Sequence, residues 1–337
     1  MRVTMKDVAR VANVSHTTVS NVLNNVGYAS EETRRKVLDA VELLNYEQNF
    51  LARSMKTNKS QVIGVVISDN SNPLFSLIVK GIEDVAASKG YNVILCNTDQ
   101  DVEREAAQVK ILNERQVDGI IISVASENVS HLDKLIKTQR PVVFINRSPD
   151  RVYGDMILTD NRIGSYEAVS HLISLGHNRI GIVGCSPEYI TGRERLEGYL
   201  KALKKHHITP SESLIVKSTV RNIEQGYAAA LQILDKEEKP TAIFGASYYT
   251  TLGILKALNQ MNLTIPKDIS VIGFDDPEWS ECFNPPLTTV AQPAWNMGKI
   301  AANTLIDRIE KKKVGSFDTI RLNPNLKIRS SCMNFNP

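Results

Sequence analysis

A small all-α head followed by an α/β body of two doubly wound parallel sheets is the fold class this sequence predicts, on three observations. Two short amphipathic stretches separated by three residues open the chain. From residue 61 the texture changes to short apolar runs alternating with helix-length amphipathic segments, and that alternation occurs twice in series. At 337 residues the chain is too long for one ordinary core, so two or three globular units are expected.

The head reads element by element. Thr4 and Asp7 have capping-box spacing, with Asp in the Glu place, and Val8, Val11 and Ala12 recur at helical spacing, which predicts a helix over about residues 5–12. Asn13-Val14-Ser15 breaks it. Asn tolerates the left-handed conformation a tight turn needs, and Ser15 is placed to cap a second helix from His16 to Leu23. Val19, Val22 and Leu23 share one face of that helix, while His16, Thr17, Thr18, Ser20 and Asn21 form the other with short hydrogen-bonding groups. A third helix follows Ser30, with Val37, Leu38, Val41 and Leu44 as its core stripe. Two short helices joined by a three-residue turn, the second polar on its outer face, form a helix-turn-helix whose second helix fits a DNA major groove. Thr methyl groups can meet thymine methyls and Asn can bond adenine bidentately. A helical bundle with a merely solvated second helix is the other reading of this segment.

Charge points the same way. Residues 1–60 hold nine Lys/Arg against six Asp/Glu, which leaves 31 of each in the rest of the chain and puts the whole formal excess of +3 in the head, where a polyanion would bind.

In the body, Val62–Ile67, Asn92–Leu95, Gly119–Ile122 and Val142–Ile145 read as buried parallel strands, each separated by a helix-length segment. Arg179–Val183, Ala242–Phe244 and Ser270–Phe274 mark a second such set. Two doubly wound sheets in series make a cleft, and ligands of such folds bind outside the carboxyl ends of the strands.

Several classes are disfavoured. Composition is 42% hydrophobic and 23% charged, which is against disorder or a fibre. No apolar stretch at the N-terminus suits a signal peptide and none approaches the roughly 18 residues of a membrane helix, so a cytoplasmic protein with no membrane partner is expected. Cys96, Cys185, Cys282 and Cys332 form no C-x-x-C pair, so inert buried thiols are expected rather than zinc or redox chemistry. There is no P-loop, no G-x-S-x-G elbow and no H-E-x-x-H, and His171, His177, His206 and His207 lack metal-ligand spacing. No catalytic residue, metal or cofactor is expected. A solute-binding transport protein would explain only residues 61–337, and an α/β enzyme would need a catalytic pair in the cleft.

The residues also match a known family. Val3-Thr4-Met5-Lys6-Asp7-Val8-Ala9, the run from Val14 to Asn24, Glu32-Thr33-Arg34-Arg35-Lys36-Val37 and Leu44-Asn45-Tyr46 closely resemble the LacI/GalR transcriptional regulators, over nearly the whole chain. The resemblance implies a helix-turn-helix DNA-binding domain at 1–45, a hinge helix and linker at 46–60, and an effector-binding and dimerisation domain of the periplasmic-binding-protein-like type at 61–337. It further implies three crossings between subdomains, an N-subdomain of about 61–160 plus 290–319, and a C-subdomain of about 161–288 plus 320–330.

The function implied is that of a repressor binding a palindromic operator as a homodimer, under allosteric control by a small effector: a sugar, sugar acid or sugar phosphate of carbohydrate metabolism. His16, Thr17 and Asn21 are expected to read bases in the major groove, with Ser20 on the same DNA-binding face and Thr4, Ser15, Thr18 and Asn24 on phosphates. Asn49, Ala52, Arg53 and Met55 match the hinge helix, Met55 as the apolar wedge in the minor groove where Leu is commoner. Glu47-Gln48 stands where the family usually has Pro, and Asn21 where it often has Arg, so base preference does not transfer. In the cleft the matching positions are Asn72, Leu74, Phe75, Asn146, Thr191, Arg195, Asp275 and Gln292, with Ser247 and Arg221 as departures and Arg147 beside Asn146. Three arginines there favour an effector bearing a carboxylate or phosphate. The chain ends without a heptad tail, so a dimer rather than a tetramer is expected.

Overall fold

The structure, a computed structural model, describes residues 3–23, 27–46, 59–133, 140–151, 153–236 and 238–335. The chain divides into two compact units, Met1–Ser60 and Gln61–Pro337.

The head has helices α1 (Met5–Ala12), α2 (His16–Leu23) and α3 (Glu31–Leu43). Asp7 closes the start of α1 by accepting from the Thr4 N–H at 3.0 Å and the Thr4 hydroxyl at 2.6 Å. Asn13 ends it in the left-handed conformation at φ 51°. The Ser15 hydroxyl accepts from the Thr18 N–H at 3.0 Å and Ser30 does the same for Thr33 at 3.2 Å, so both later helices start at side-chain caps. Val8, Val19, Val22, Val37 and Ala40 form the core that binds the three helices. Two expected stripe positions differ: Val11 and Leu38 are each nearly half exposed, because α1 and α3 are too short and too few to cover more than one narrow face.

In the body, strand β1 (Val62–Ile67) leads to α4 (Pro73–Ser88), β2 (Asn92–Asn97), α5 (Val102–Glu114), β3 (Gly119–Ile122), β4 (Val142–Ile145) and β5 (Asp155–Thr159). Helix α6 (Asn161–Ser174) then opens the second set: β6 (Ile180–Val183), α7 (Ile190–Lys205), β7 (Ile215–Val216), α8 (Ile223–Leu234), β8 (Ala242–Gly245), α9 (Tyr248–Gln260) and β9 (Ser270–Phe274). A short helix α10 (Trp279–Cys282), β10 (Thr288–Ala291), α11 (Ala294–Ile309), β11 (Thr319–Leu322) and β12 (Asn325–Lys327) complete the order.

Two six-stranded sheets result. One runs β11-β5-β4-β3-β1-β2 and is parallel throughout; the other runs β12-β10-β9-β8-β6-β7 and is parallel except for the β10/β12 pair. Each is covered on both faces, which is why its inner strands read as continuous apolar runs. Helices α4 and α11 lie unusually close on the first sheet. A Cβ at Gly81 would come 2.2 Å from the Trp295 carbonyl oxygen, and one at Gly298 would come 2.1 Å from that of Ile78.

Strand membership moves two of the expected crossings. β10 pairs with β9, Thr288 opposite Ile272 and Val290 opposite Phe274, so the second sheet keeps the chain to Ala291 rather than 288. β11 pairs with β5, Ile320 opposite Ile157, so the first sheet keeps it to Leu322 rather than 319. The chain therefore crosses between Thr159 and Asn161, between Ala291 and Ala294, and between Leu322 and Asn325.

The thiols differ from expectation at one place: Cys96 and Cys185 are buried and Cys332 is half-buried, but Cys282 is exposed, because the four-residue α10 lies at the surface with only Ser280 buried. No helix among the described residues is long and apolar enough to cross a membrane.

Candidate functional site

Two surfaces carry the residues singled out from sequence. On α2 of the head, Ser15, His16 and Thr17 are exposed and Thr18, Ser20 and Asn21 are half-buried, while Val19 and Val22 point into the core. The helix has no acid in its first turn and no base in its last, so its outer face offers hydroxyl, amide and imidazole groups without a fixed carboxylate or ammonium. The Ser15 hydroxyl is used as a cap and lies 2.8 Å from that of Thr18, which pins the start of this face. Asn24 and the hinge positions Asn49, Ala52, Arg53 and Met55 lie outside the described residues.

The second surface is a cleft between the two sheets, of about 710 Å³ with its open mouth included. From the first subdomain come Asn72, Leu74, Phe75, Asn146 and Arg147, and from the second Thr191, Arg195, Ser247 and Asp275, with Gln292 at a crossing. Arg221 is the expected residue that the cleft does not bring in. Its side chain is exposed, although Thr219 and Val220 just before it reach the lining.

Several of these side chains are held rather than free. The Asn72 amide oxygen caps α4 by accepting from the Leu74 N–H at 3.0 Å, and Phe75 belongs to the core beneath. Ser247 caps α9. Arg195, on α7, donates to the Asn161 amide oxygen at 2.9 Å and the Ala246 carbonyl at 2.6 Å, with its guanidinium 3.6 Å above the Phe274 ring. Burial lowers its pKa to about 10, with Asp275 opposing the shift. Asp275 accepts from the Gln292 amide at 2.6 Å and the Tyr248 N–H at 3.2 Å, and Gln292 in turn accepts from the Thr159 hydroxyl at 2.6 Å. Asn146 and Asp275, immediately after β4 and β9, both have left-handed backbone, at φ 66° and 79°. Strained residues at matching strand ends turn side chains into the cleft that extended backbone would point away.

Sequence reasoning missed Asp69, Gln100, Tyr189 and Tyr249, all in the lining. Asp69 follows β1 by two residues, so the rule that ligands gather at strand ends was a usable signal for it. Its carboxylate accepts from the Tyr249 hydroxyl at 2.8 Å, a bond from one subdomain to the other. Burial and then that carboxylate raise the Tyr249 phenol, so it donates as a neutral group at all ordinary pH. A second bridge is Arg193 to Glu127 at 2.7 Å. At the crossings, the buried Glu194 accepts from Asn161 at 3.0 Å and pairs with Arg321 at 2.9 Å and with Arg162.

Tyr249→Phe should therefore loosen closure without disturbing either sheet. Losing one hydrogen bond to this buried carboxylate shifts the closed-to-open ratio by at least roughly fivefold. Backbone hydrogen exchange around Asn70–Asn72 should quicken by that factor, and unchanged exchange would contradict the role.

The arrangement offers hydrogen-bond donors, acceptors, aromatic faces and two guanidinium groups around a space the size of a small polar molecule, and no group of three or more His, Cys, Asp or Glu suited to a metal among the described residues. Comparisons with known proteins match the head and the second part of the body. Residues 4–49 match the family described as bacterial regulatory proteins, lacI family, and residues 169–332 match the periplasmic binding protein-like domain. The chain is 36% identical over 334 residues to the HTH-type transcriptional repressor PurR of Photobacterium profundum, covering 99% of each. Its fold superposes on a lac repressor dimer bound to operator and the anti-inducer ONPF with a TM-score of 0.86, at 29% identity over 99% of this chain and 100% of that one. On a cellobiose complex of the transcriptional regulator CelR the TM-score is 0.73, at 28% identity over 98% and 100%. With a helix-turn-helix head and a two-sheet body in one chain, and relatives matched end to end, the protein belongs to the LacI family of bacterial transcriptional repressors.

Proposed function

We propose that this repressor binds a two-fold operator as a homodimer and that a small, carbohydrate-derived effector in the cleft sets its affinity for DNA. The observation that carries the reading is the polar outer face of α2, fixed by the Asn13 turn and the Ser15 cap, with His16 and Thr17 exposed on it. On this reading His16, Thr17, Ser20 and Asn21 meet base edges and Thr4, Ser15, Thr18 and Asn24 meet phosphates. Asn49, Ala52, Arg53 and Met55, outside the described residues, meet the minor groove.

One helix of eight residues reads too few bases for specificity, which favours a symmetric pair of heads. Large apolar side chains left exposed on the body, Leu77 on α4 and Ile94 and Leu95 on the edge strand β2, support a partner copy.

The effector half rests on the cleft. Its amides, hydroxyls, carboxylates and tyrosine rings suit a polyhydroxylated ligand, and CelR, with a similar fold, is described with cellobiose. Binding acts on DNA affinity only if the ligand prefers one closure state, and the two cross-cleft bonds are contacts that opening the cleft would break.

The test compares the full chain with residues 61–337 for retention of palindromic genomic fragments. The full chain should hold them roughly a thousandfold more tightly. Equal retention would end the DNA-binding reading of the head.

A further inference from the structure

We propose that the effector carries an oxyanion, a carboxylate or a phosphate, and that its subsite lies at Arg147 rather than at Arg195. The inference rests on the effector reading above and deepens it.

Arg147 follows the left-handed Asn146 at the end of β4 and lines the cleft. The groups it touches are all neutral. Its guanidinium donates to the Gln100 amide oxygen at 3.0 Å and the Val124 carbonyl at 3.4 Å, and lies 3.9 Å over the Tyr189 ring. No ion pair of Arg147 occurs among the described residues, although its side chain lines the cleft and is held by neutral groups.

The nearest buried carboxylate does not fill the gap. Glu105 is fully buried, but its two oxygens are taken by His131 at 2.7 Å and by the Ala125 N–H at 2.7 Å, so it attracts Arg147 only through space. Arg195 is in a different position, because Asp275 lies close enough to favour its charge.

A second cation makes the imbalance larger. Arg221 is exposed, directly after the lining residues Thr219 and Val220, and its charge repels that of Arg147. Burial and then this repulsion act against the charged form of Arg147, with Tyr189 and Glu105 opposing them. A guanidinium stays protonated under such conditions, so the cleft holds one buried cation with no ion pair among the described residues. An oxyanion there would receive charge-assisted hydrogen bonds from a guanidinium already stripped of much of its water, and would offset the like charge of Arg221 outside.

The experiment uses the full chain and two minimal probes, inorganic phosphate read by its phosphorus line width and acetate read by saturation transfer. Saturable binding should be about tenfold weaker in Arg147→Gln. The head of the molecule also attracts anions, so the component lost in that variant is the one assigned to the cleft. Arg221→Gln, at an exposed position, should weaken the same component about threefold with no risk to folding. Phosphate binding alone would place a phosphorylated effector here, and acetate binding alone a sugar acid; either supports the subsite. Binding to Arg147→Gln equal to that of the parent chain, or no cleft component for either probe, overturns it. Operator retention by the same parent protein is measured alongside, so loss of this proposal leaves the repressor reading separately tested.

Discussion

A single substitution, Thr17→Glu, is expected to lower operator affinity by at least about a hundredfold while leaving the head folded. Thr17 is exposed on the outer face of α2, in its first turn, and makes no contribution to the core of Val8, Val19, Val22 and Val37. An acid near a helix N-terminus is favourable to the helix dipole, so the substitution should hold or slightly raise the head's thermal stability. On the proposed reading the same carboxylate would face phosphates and acceptor-rich base edges, and the substitution would remove a methyl able to fit beside a thymine. Each lost or repulsive contact of this kind costs about 1–3 kcal/mol, and a symmetric dimer suffers it twice on one operator. Fluorescence anisotropy with an operator duplex measures the effect, and circular dichroism confirms the fold. A loss of less than about threefold would remove α2 from the groove.

Why that face could be read in advance, and other features could not, follows from how far apart the determinants lie in sequence. Both ends of α1 and the start of α2 were legible to the residue, because Thr4, Asn13 and Ser15 act on neighbours within four positions. Buried strands such as Ile120–Ile122 and Val142–Ile145 announce themselves as apolar runs, since both faces of their sheet are covered. β2 misleads in the same terms. Ile94 and Leu95 read as core but are substantially exposed, because an edge strand has cover on only part of its surface.

The cleft shows the same division. Asn146, Arg195 and Asp275 sit at positions that a strand end or a matching motif marks out. Asp69 and Tyr249 make their bond across 180 positions of sequence, which no local pattern encodes. Arg221 was legible as a residue near the cleft but not as one facing out of it, since side-chain direction there depends on the loop before α8. The second and third crossings were misplaced by about three residues because only strand pairing, β10 with β9 and β11 with β5, decides which sheet keeps the chain.

The same long-range logic identifies where the body is most vulnerable. Asp155→Ala is expected to destabilise it by about 3–5 kcal/mol, lowering its unfolding temperature by roughly 6–10 °C. Asp155 begins β5 with its side chain 1% exposed and accepts from Arg308 Nε at 2.9 Å, Arg308 Nη2 at 3.0 Å, Lys313 Nζ at 2.8 Å and the Asp318 N–H at 3.0 Å. One carboxylate thus ties the end of α11 and the loop leading to β11 onto the strand that β11 joins. Removing it leaves the Arg308 side chain, 8% exposed, without its counter-charge, which is far costlier than losing a surface pair.

The pH dependence gives an independent check. Burial raises the Asp155 carboxyl, but the bonds from Arg308, Lys313 and the Asp318 N–H outweigh it and hold the group below its ordinary value of 3.8. A folded pKa below the unfolded one means the unfolded chain binds the extra proton first as pH falls. The contribution is fully present above about pH 5 and is lost as pH drops through and below the ordinary carboxylate range. Urea unfolding of the parent and of Asp155→Ala should therefore differ most near neutrality and converge toward pH 3, and a gap that stays constant across that interval would mean the carboxylate's charge is not what secures β11.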